Sequence, residues 1–270
     1  MADGLVPPDP RGYPDASRRG CRSGRLRVLS LVSLALFFAA WEAGTRFALF
    51  PPVLVPAPSS LIAAFRRELN SGILTDVVRA SLDHWVLGVA VGSVLGIGLG
   101  GAAGLWIYVE AAQEGIARLL RPISPIAWIP FAIMWFGVSR GAAAFIIAIG
   151  VFWINYFATL TAVRSVDPAL LELAGAFGQG SLHRRVLKVI LPGAAPGILS
   201  GLRSGLGMSW IVVLVAELFG VRGIGQRMME ASGFLATDVV LLYMVTISVL
   251  YTLCDVTVTA FTRRILRWMP

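Results

Sequence analysis

Few side chains in this sequence could carry out catalysis, and they are scattered along the chain. There are two histidines, His84 and His183, and two cysteines, Cys21 and Cys254. None of them has partners at metal-ligand spacing, and no Gly-x-Ser-x-Gly turn presents a nucleophile. An intramembrane hydrolase would need a nucleophile and a base within hydrogen-bonding distance. The sequence therefore disfavours hydrolysis and metal chemistry, and it predicts no cofactor bound by this chain.

Ionisable residues inside apolar stretches are the second group that could have a function. Glu42, Arg46 and Arg203 lie within such stretches, and Glu217 and Asp255 lie nearer their ends. Charges inside a membrane are costly enough to indicate a role. Arg203 could help an anion to cross, or it could pair with a carboxylate, bond to helix carbonyls or snorkel. Four tryptophans could line a route or only pack: Trp128, Trp135, Trp153 and Trp210.

The composition places these residues in a membrane. Of 270 residues, 57% are hydrophobic and 14% are charged, and the mean hydropathy is +0.77. That leaves too little polar surface for a soluble globule. Since a helix needs about 20 apolar residues to cross a bilayer, six spans are predicted: Leu26–Phe50, Trp85–Tyr108, Leu119–Gly137, Ala142–Val163, Ala194–Phe219 and Thr237–Phe261.

The first 25 residues are rich in Pro, Gly, Asp and Arg, and they are predicted to form a disordered tail. Residues 26–270 then form the membrane domain. A cleaved signal peptide is the alternative for the first apolar run, but the run is long and Trp41-Glu42-Ala43-Gly44 is a poor cleavage site.

The distribution of positive charge predicts the orientation. The net charge of +8 comes from 22 Arg and one Lys, which cluster at the ends of apolar runs, so nucleic-acid binding is not predicted. The third run contains Pro122, Pro125 and Pro130 and could be re-entrant. If all six runs cross, 15 cations lie inside and 6 outside; without the third crossing the numbers are 11 and 10. The positive-inside rule favours six crossings, a kinked third helix and both termini in the cytoplasm.

Glycine recurs at every fourth position in two apolar runs. Small residues spaced in this way form a groove that lets another helix approach closely. The grooves could pack helices within one subunit, or they could form a subunit interface or a moving helix pair. The glycines are Gly88, Gly92, Gly96, Gly100 and Gly104 in the second run, and Gly193, Gly197, Gly201 and Gly205 in the fifth.

A cationic, two-part amphipathic stretch from Arg164 to Pro192, here named the 164–192 segment, separates two apolar runs. Asp167-Pro168 predicts a helix start, because Asp accepts N-cap hydrogen bonds and Pro fits the first turn. Gly178 and Gly180 are predicted to end that helix. One apolar stripe is predicted on it from i, i+3, i+4, i+7 spacing: Leu170, Leu173, Ala174 and Phe177.

A second helix is predicted from Leu182 to Ile190, with Ser181 as its cap, and Pro192 is predicted to end this element and to start the next span. His183, Arg184, Arg185 and Lys188 alternate in it with apolar residues. Such a mixture is typical of a docking surface for a soluble partner. It is equally typical of a short helix lying flat on the bilayer.

The residue pattern of this segment resembles that of a known family. Glu172-Leu173-Ala174, followed by Gly178 and then by Ile190-Leu191-Pro192, resembles the EAA loop of binding-protein-dependent ABC importer permeases. The spacing from Gly178 to Leu-Pro is one residue longer than the usual form.

Further stretches over residues 51–261 resemble the nitrate, sulfonate and taurine permease branch of that family. They are Pro-Ile-Ser-Pro-Ile-Ala-Trp-Ile-Pro at 122–130 with Trp135-Phe136-Gly137, Leu191 to Ile198 with Gly201-Leu202-Arg203, Ala216-Glu217, and Gly223-Ile224-Gly225.

The resemblance implies an all-α type I importer permease fold with a cytoplasmic coupling helix in the bacterial inner membrane. It implies two permease copies, often a homodimer, two ABC ATPase subunits that use ATP and Mg, and an external substrate-binding protein. The chain itself has no Walker-type Gly-x-x-x-x-Gly-Lys, since its one lysine is Lys188. The cargo class implied is a small solute such as nitrate, a sulfonate or taurine.

The same resemblance predicts which residues couple transport to the ATPase. Glu172 is expected to anchor the contact by hydrogen bonding or ion pairing, with Leu173, Ala174, Phe177 and Gly178 at its centre. Further contacts are expected from Leu182, Arg184, Arg185 and Pro192. Arg203, Trp128, Trp135 and Trp210 are the candidates for the pathway. A secondary transporter or channel without an ATPase is the competing function.

Overall fold

The computed structural model describes residues 17–47, 51, 54–177 and 181–265, apart from the side chains of residues 17–28, 30, 31 and 265. Every regular element in these ranges is helical, as predicted. The helices are α1 (Ser17–Arg46), α2 (Ser60–Asn70), α3 (Ile73–Leu105), α4 (Ile107–Leu120), α5 (Ile129–Phe136), α6 (Arg140–Arg164), α7 (Pro168–Ala176), α8 (Leu182–Arg185), α9 (Leu191–Leu218), α10 (Ile224–Gly233) and α11 (Thr237–Ile265).

The chain divides into two units near Ser60, Met1–Ser60 and Leu61–Pro270. In the first unit α1 covers most of the first predicted span, and residues 48–50 of that span lie outside the described residues. Because α1 begins at Ser17, the predicted disordered tail overlaps a helix; residues 1–16 are outside the description. Glu42 accepts hydrogen bonds from Arg46 and from the backbone and hydroxyl of Ser59, at 2.8 to 3.1 Å.

In the second unit α6 lies between α3 and α9. The glycines of α3 meet α6 in parallel register, from Gly88 against Ala144 to Gly104 against Val163. Those of α9 meet it in antiparallel register, from Gly193 against Val166 to Gly205 against Val151. A Cβ at Gly197 would lie 2.5 Å from that of Ala162. Both glycine grooves therefore pack helices of one chain.

The register also decides the path of the third predicted span. Since α3 and α6 are parallel, the chain between them must return across the bundle. It does so along α6, where Arg121 stacks on Phe157, Pro125 lies at Gly150 and Trp128 meets Phe145. The predicted single kinked helix is wrong, because α4 and the Pro125–Phe136 stretch are bent by 88°.

The bend has a local cause. Ser124 caps a 3-10 turn at Pro125–Trp128, and a helix tends to end before a proline. A second break at Trp106, whose backbone is extended (φ −126°), ends α3 before the predicted Tyr108.

Four described helices are long and apolar enough to cross a membrane, and the bent pair makes up to five. The four helices are Ile73–Leu105, Arg140–Arg164, Leu182–Leu218 and Thr237–Arg264. The bent pair is Ile107–Leu120 with Pro125–Phe136. The order of the crossings puts the 164–192 segment and the end of α11 at one end of the bundle, here the segment end. The helix α10 lies at the other, the α10 end.

Candidate functional site

The first half of the 164–192 segment is the helix α7, which begins as predicted. The Asp167 carboxylate accepts a hydrogen bond of 2.9 Å from the Ala169 backbone, and Pro168 occupies the first turn. No residue of α7 is buried. The predicted stripe lies uncovered, with Leu173 55% and Phe177 76% exposed.

Of two further predicted contact residues, the structure describes Glu172 but not Gly178. Glu172 is exposed and forms no hydrogen bond or ion pair with any residue that the structure describes. Gly178 lies outside the described residues. An apolar stripe beside a free carboxylate is a surface of mixed chemistry that a protein partner could cover.

The second half of the segment does not end where predicted. After α8, a π-helical turn over Val186–Ile190 leads directly into α9, with Pro192 in its first turn. Leu191 donates its N–H to the Val186 carbonyl, an i to i+5 bond. The wide turn precedes the proline that lacks a donor, so helix geometry continues without a break. Pro192 therefore lies at the start of the next span, as predicted, but it does not end the helix before it.

Side chains of the second half hold the two halves together. A Cβ at Gly175 would lie 3.2 Å from a guanidinium nitrogen of Arg185. Leu182 and Arg184, in contrast, are exposed. Ser181 is the N-cap of α8 but makes no capping hydrogen bond through its side chain.

The segment is joined to the bundle by a small apolar cluster at the segment end. Ala162, Val166 and Ala194 are its buried members, and Val189 and Ile190 pack against it. Because α6 and α9 share this cluster with the segment, the segment packs directly on two membrane-spanning helices.

Arg203 pairs with Asp255 between α9 and α11. The two bonds, from Nε to Oδ1 at 2.7 Å and from Nη2 to Oδ2 at 2.9 Å, form a bidentate pair. Two of the charges that the sequence placed in apolar stretches therefore neutralise each other. A role for Arg203 in the pathway stays a prediction.

The three predicted pathway tryptophans separate into two places. Trp128 and Trp135 meet around Phe131 and Phe145, with ring centroids 5.7 to 6.4 Å apart. Trp210 is buried and stacks on Trp85 at 4.9 Å. No single surface in the described chain carries all three, and their role in transport stays a prediction.

Sequence reasoning missed a buried polar pair near the α10 end. One carboxylate oxygen of Glu217 accepts a hydrogen bond of 2.6 Å from the Gly225 backbone N–H. The other oxygen lies 2.7 Å from His84 Nε2. Both side chains are at most 1% exposed. Beside them, the Ser81 hydroxyl accepts a hydrogen bond of 2.9 Å from the Ile224 backbone N–H. This set fastens the loop before α10 to α3. The spacing of Ala216-Glu217 and Gly223-Ile224-Gly225 was a signal, but it did not indicate the partner.

A second missed network lies at the same end, where Glu68 and Tyr243 are buried. Glu68 accepts 2.8 Å bonds from Arg227 and from the hydroxyl of Tyr243. Burial raises the pKa of the Glu68 carboxyl, but the hydrogen bonds from Arg227 and Tyr243 outweigh it and hold that pKa below its ordinary value. The network ties α2, α10 and α11 together.

Comparison with known proteins places this geometry in a family. Residues 88–267 match the family described as binding-protein-dependent transport system inner membrane component. The chain belongs to that family. SsuC of Bacillus subtilis (strain 168), a permease named for aliphatic sulfonates transport, is 30% identical over 96% of this chain and 94% of its own. The taurine transport system permease protein TauC of Escherichia coli (strain K12) is 32% identical over 89% of this chain and 90% of its own.

The fold of the permease is shared with a solved transporter. A chain of the inward-facing MetNI methionine ABC transporter matches it with a TM-score of 0.62 at 20% identity, over 71% of this chain and 95% of that one. The permease is a multi-pass inner-membrane subunit of an ABC importer, it is not itself catalytic, and a partner ATPase uses the ATP. Among the residues described there is no group of three His, Cys, Asp or Glu that could hold a metal ion.

Proposed function

We propose that the permease couples to its ATPase through the 164–192 segment, with Leu173, Ala174 and Phe177 at the centre of the contact and Glu172 as its polar anchor. Gly178 belongs to the same centre, Leu182, Arg184 and Pro192 extend the surface, and Arg185 joins its two halves. The observation that carries this proposal is the uncovered stripe of α7 on a segment that is rooted in α6 and α9.

The energy of that contact can be bounded from the Phe177 side chain. Complete burial of a phenylalanine contributes about 1.5 to 3 kcal/mol, and 76% of this one is exposed. Its burial then contributes roughly 1 to 2.3 kcal/mol. At 1.4 kcal/mol per factor of ten, Phe177→Ala weakens ATPase binding roughly 5- to 50-fold.

The test compares ATPase binding and ATP-driven uptake in two matched variants, Phe177→Ala and Phe234→Ala. Phe234 is 84% exposed but lies at the α10 end, so its substitution leaves ATPase affinity unchanged. The expected result is a loss specific to Phe177→Ala. Equal affinities in both variants would show that the ATPase docks elsewhere.

The proposed cargo is a small oxyanion of the sulfonate or taurine class, delivered by a binding protein, with nitrate as a further member of the class. Relatives named for aliphatic sulfonates, taurine and bicarbonate transport support it. Proteoliposomes that hold the permease, its ATPase and its binding protein are expected to accumulate radiolabelled taurine or an alkanesulfonate. Accumulation of neither compound would contradict the proposed cargo.

We further propose that two identical permease copies assemble with two ATPase subunits. The most apolar stretch of α11 is only 17% buried within one chain, and that of α3 only 33%, which leaves apolar surface for a second copy as well as for lipid. Native mass spectrometry of the purified complex is expected to show two permease and two ATPase chains. Two different permease chains would contradict the homodimer.

The proposed orientation puts the segment end and both termini in the cytoplasm. The end of α11 with Arg263 and Arg264 lies with the 164–192 segment, which agrees with the positive-inside rule. A secondary transporter or channel has no need of the uncovered stripe. Uptake without ATP and ATPase would favour that alternative.

A further inference from the structure

An apolar cleft of about 260 Å³ lies at the segment end, where no function has been assigned. It is bounded by the last turns of α3, by α6 and by the π-helical turn that leads into α9. An apolar cavity of about 150 Å³ is large enough to bind benzene, so this cleft can hold an extended hydrocarbon. Most of its lining is aliphatic or aromatic: Ile97, Leu105, Trp106, Val186, Ile190 and Leu191.

One polar group lines the cleft, and it has no partner. Thr159 is 1% exposed, and its hydroxyl forms no hydrogen bond with any described atom. Threonines in helices can bond to the carbonyl four residues earlier; in α11, Thr246, Thr252 and Thr257 do so, whereas Thr259 and Thr262 have no described partner. The Thr159 hydroxyl instead lacks an acceptor, and a ligand in the cleft would supply one.

The glycines of α3 show that the chain leaves this space open. A Cβ at Gly96 would lie 2.7 Å from the Phe152 carbonyl oxygen, so that glycine is required for packing. A Cβ at Gly98 would meet nothing within 4 Å, and one at Gly101 only the Thr159 methyl at 3.8 Å. Gly98 and Gly101 therefore line the cleft, and neither is in close contact with a neighbouring helix.

The depth of Thr159 indicates the ligand. It lies five residues before Arg164, the end of α6, which is about 7.5 Å at 1.5 Å per residue. The polar region of a bilayer leaflet is about 5 to 8 Å thick. With Arg164 among the headgroups, the hydroxyl is level with the ester carbonyls of the lipids. Trp106, which is 45% exposed, also lines the cleft, and tryptophan is enriched at the membrane–water interface.

We propose that the cleft binds one phospholipid of the leaflet at the segment end. Its acyl chain fills the apolar space, and its ester carbonyl accepts the hydrogen bond from Thr159. The π-helical turn forms one wall, so the lipid braces the 164–192 segment against α3. Lipid binding at this cleft does not depend on the proposed function.

The first test maps bound lipid on the permease purified with its ATPase. A phosphatidylethanolamine with a diazirine high in one acyl chain is expected to label residues 97–106 and 186–198. Gly98→Leu places a side chain in the cleft at a position where its Cβ meets nothing within 4 Å, and it is expected to lower that labelling at least fivefold. Gly115→Leu is the matched control, because Gly115 is equally open but lies in α4. Unchanged labelling in Gly98→Leu would overturn the proposal. Labelling of a second protein chain in place of residues 97–106 and 186–198 would overturn it as well.

The second test uses Thr159→Val, which preserves volume and removes the hydroxyl. With a bound ester carbonyl, this variant retains less phospholipid in native mass spectrometry and has a lower Tm than the wild type in lipid nanodiscs. In lipid-free detergent its Tm is higher, because an unpartnered hydroxyl has been removed. An equal rise of Tm in both media would show that no lipid meets Thr159. Normal labelling together with ATP-independent uptake would refute the proposed function and leave the lipid site intact.

Discussion

A pair of glycine substitutions two residues apart in α3 tests whether the glycine groove holds the bundle together. Gly96 faces α6, where an added Cβ would lie 2.7 Å from the Phe152 carbonyl oxygen and 3.0 Å from the Asn155 Cβ. Gly98 faces the cleft, where it would meet nothing within 4 Å. Alanine has the same helix propensity at both positions, so the difference between the variants isolates the contact with α6.

The magnitude follows from the distances. To bring the Gly96→Ala methyl from 2.7 Å to the 3.4 Å of ordinary contact, α3 and α6 must separate by about 0.7 Å. The main-chain oxygen cannot rotate away, and α9 presses on α6 from another side, where Gly197 meets Ala162. Such overpacking costs about 1 to 3 kcal/mol, whereas the gain of up to about 1 kcal/mol in helix propensity is common to Gly96→Ala and Gly98→Ala and cancels in the comparison.

The two variants are therefore expected to differ by roughly 1 to 3 kcal/mol. At about 2 to 4 °C per kcal/mol, their apparent Tm values differ by roughly 2 to 12 °C, with Gly96→Ala the lower. Thermal unfolding of both variants in one nanodisc lipid, followed by size-exclusion fluorescence, measures the difference. Equal Tm values, or a less stable Gly98→Ala, would refute the assignment of the two helix faces.

Three further predictions test the polar groups. Because the pKa of Glu68 lies below its unfolded value of 4.5, its contribution to stability is present above that pH and is lost as the pH falls through the folded-state pKa. The Tm of the wild type then falls more steeply below pH 4.5 than that of Glu68→Gln; parallel curves would contradict this. Glu217→Ala strands a backbone N–H and an imidazole and lowers stability by about 1 to 3 kcal/mol for each, measured by the same unfolding assay. Arg203→Gln lowers the yield of folded protein, and adding Asp255→Asn restores it; if uptake stays impaired in that double variant, Arg203 acts in the pathway and not only in pairing.

Local rules of helix formation predicted much of this fold. The pair Asp167-Pro168 located the start of α7, and the four-residue glycine spacing predicted close helix packing that the structure places within one chain. The apolar run from Ala142 to Val163 agrees with α6 to within two residues at each end. In each case the signal is a property of neighbouring residues on a single helix.

The features that sequence did not predict depend on other helices. The extended backbone at Trp106 has no proline or turn motif beside it, and the π-helical turn at Val186–Ile190 is a response to Pro192 that local spacing cannot distinguish from a helix end. His84 and Glu217 are 133 residues apart. Their contact requires the register of α3 against α9, which only the folded bundle fixes.

Photo-crosslinking at Phe177 tests the coupling claim most directly. A photoreactive amino acid replaces Phe177 in one sample and Phe234 in the other, and the assembled transporter is irradiated in membrane vesicles. A crosslink to the ATPase subunit is expected from position 177 and none from position 234. Absence of the ATPase adduct at 177, or an adduct there with the external binding protein, would show that this segment is not the docking site of the ATPase.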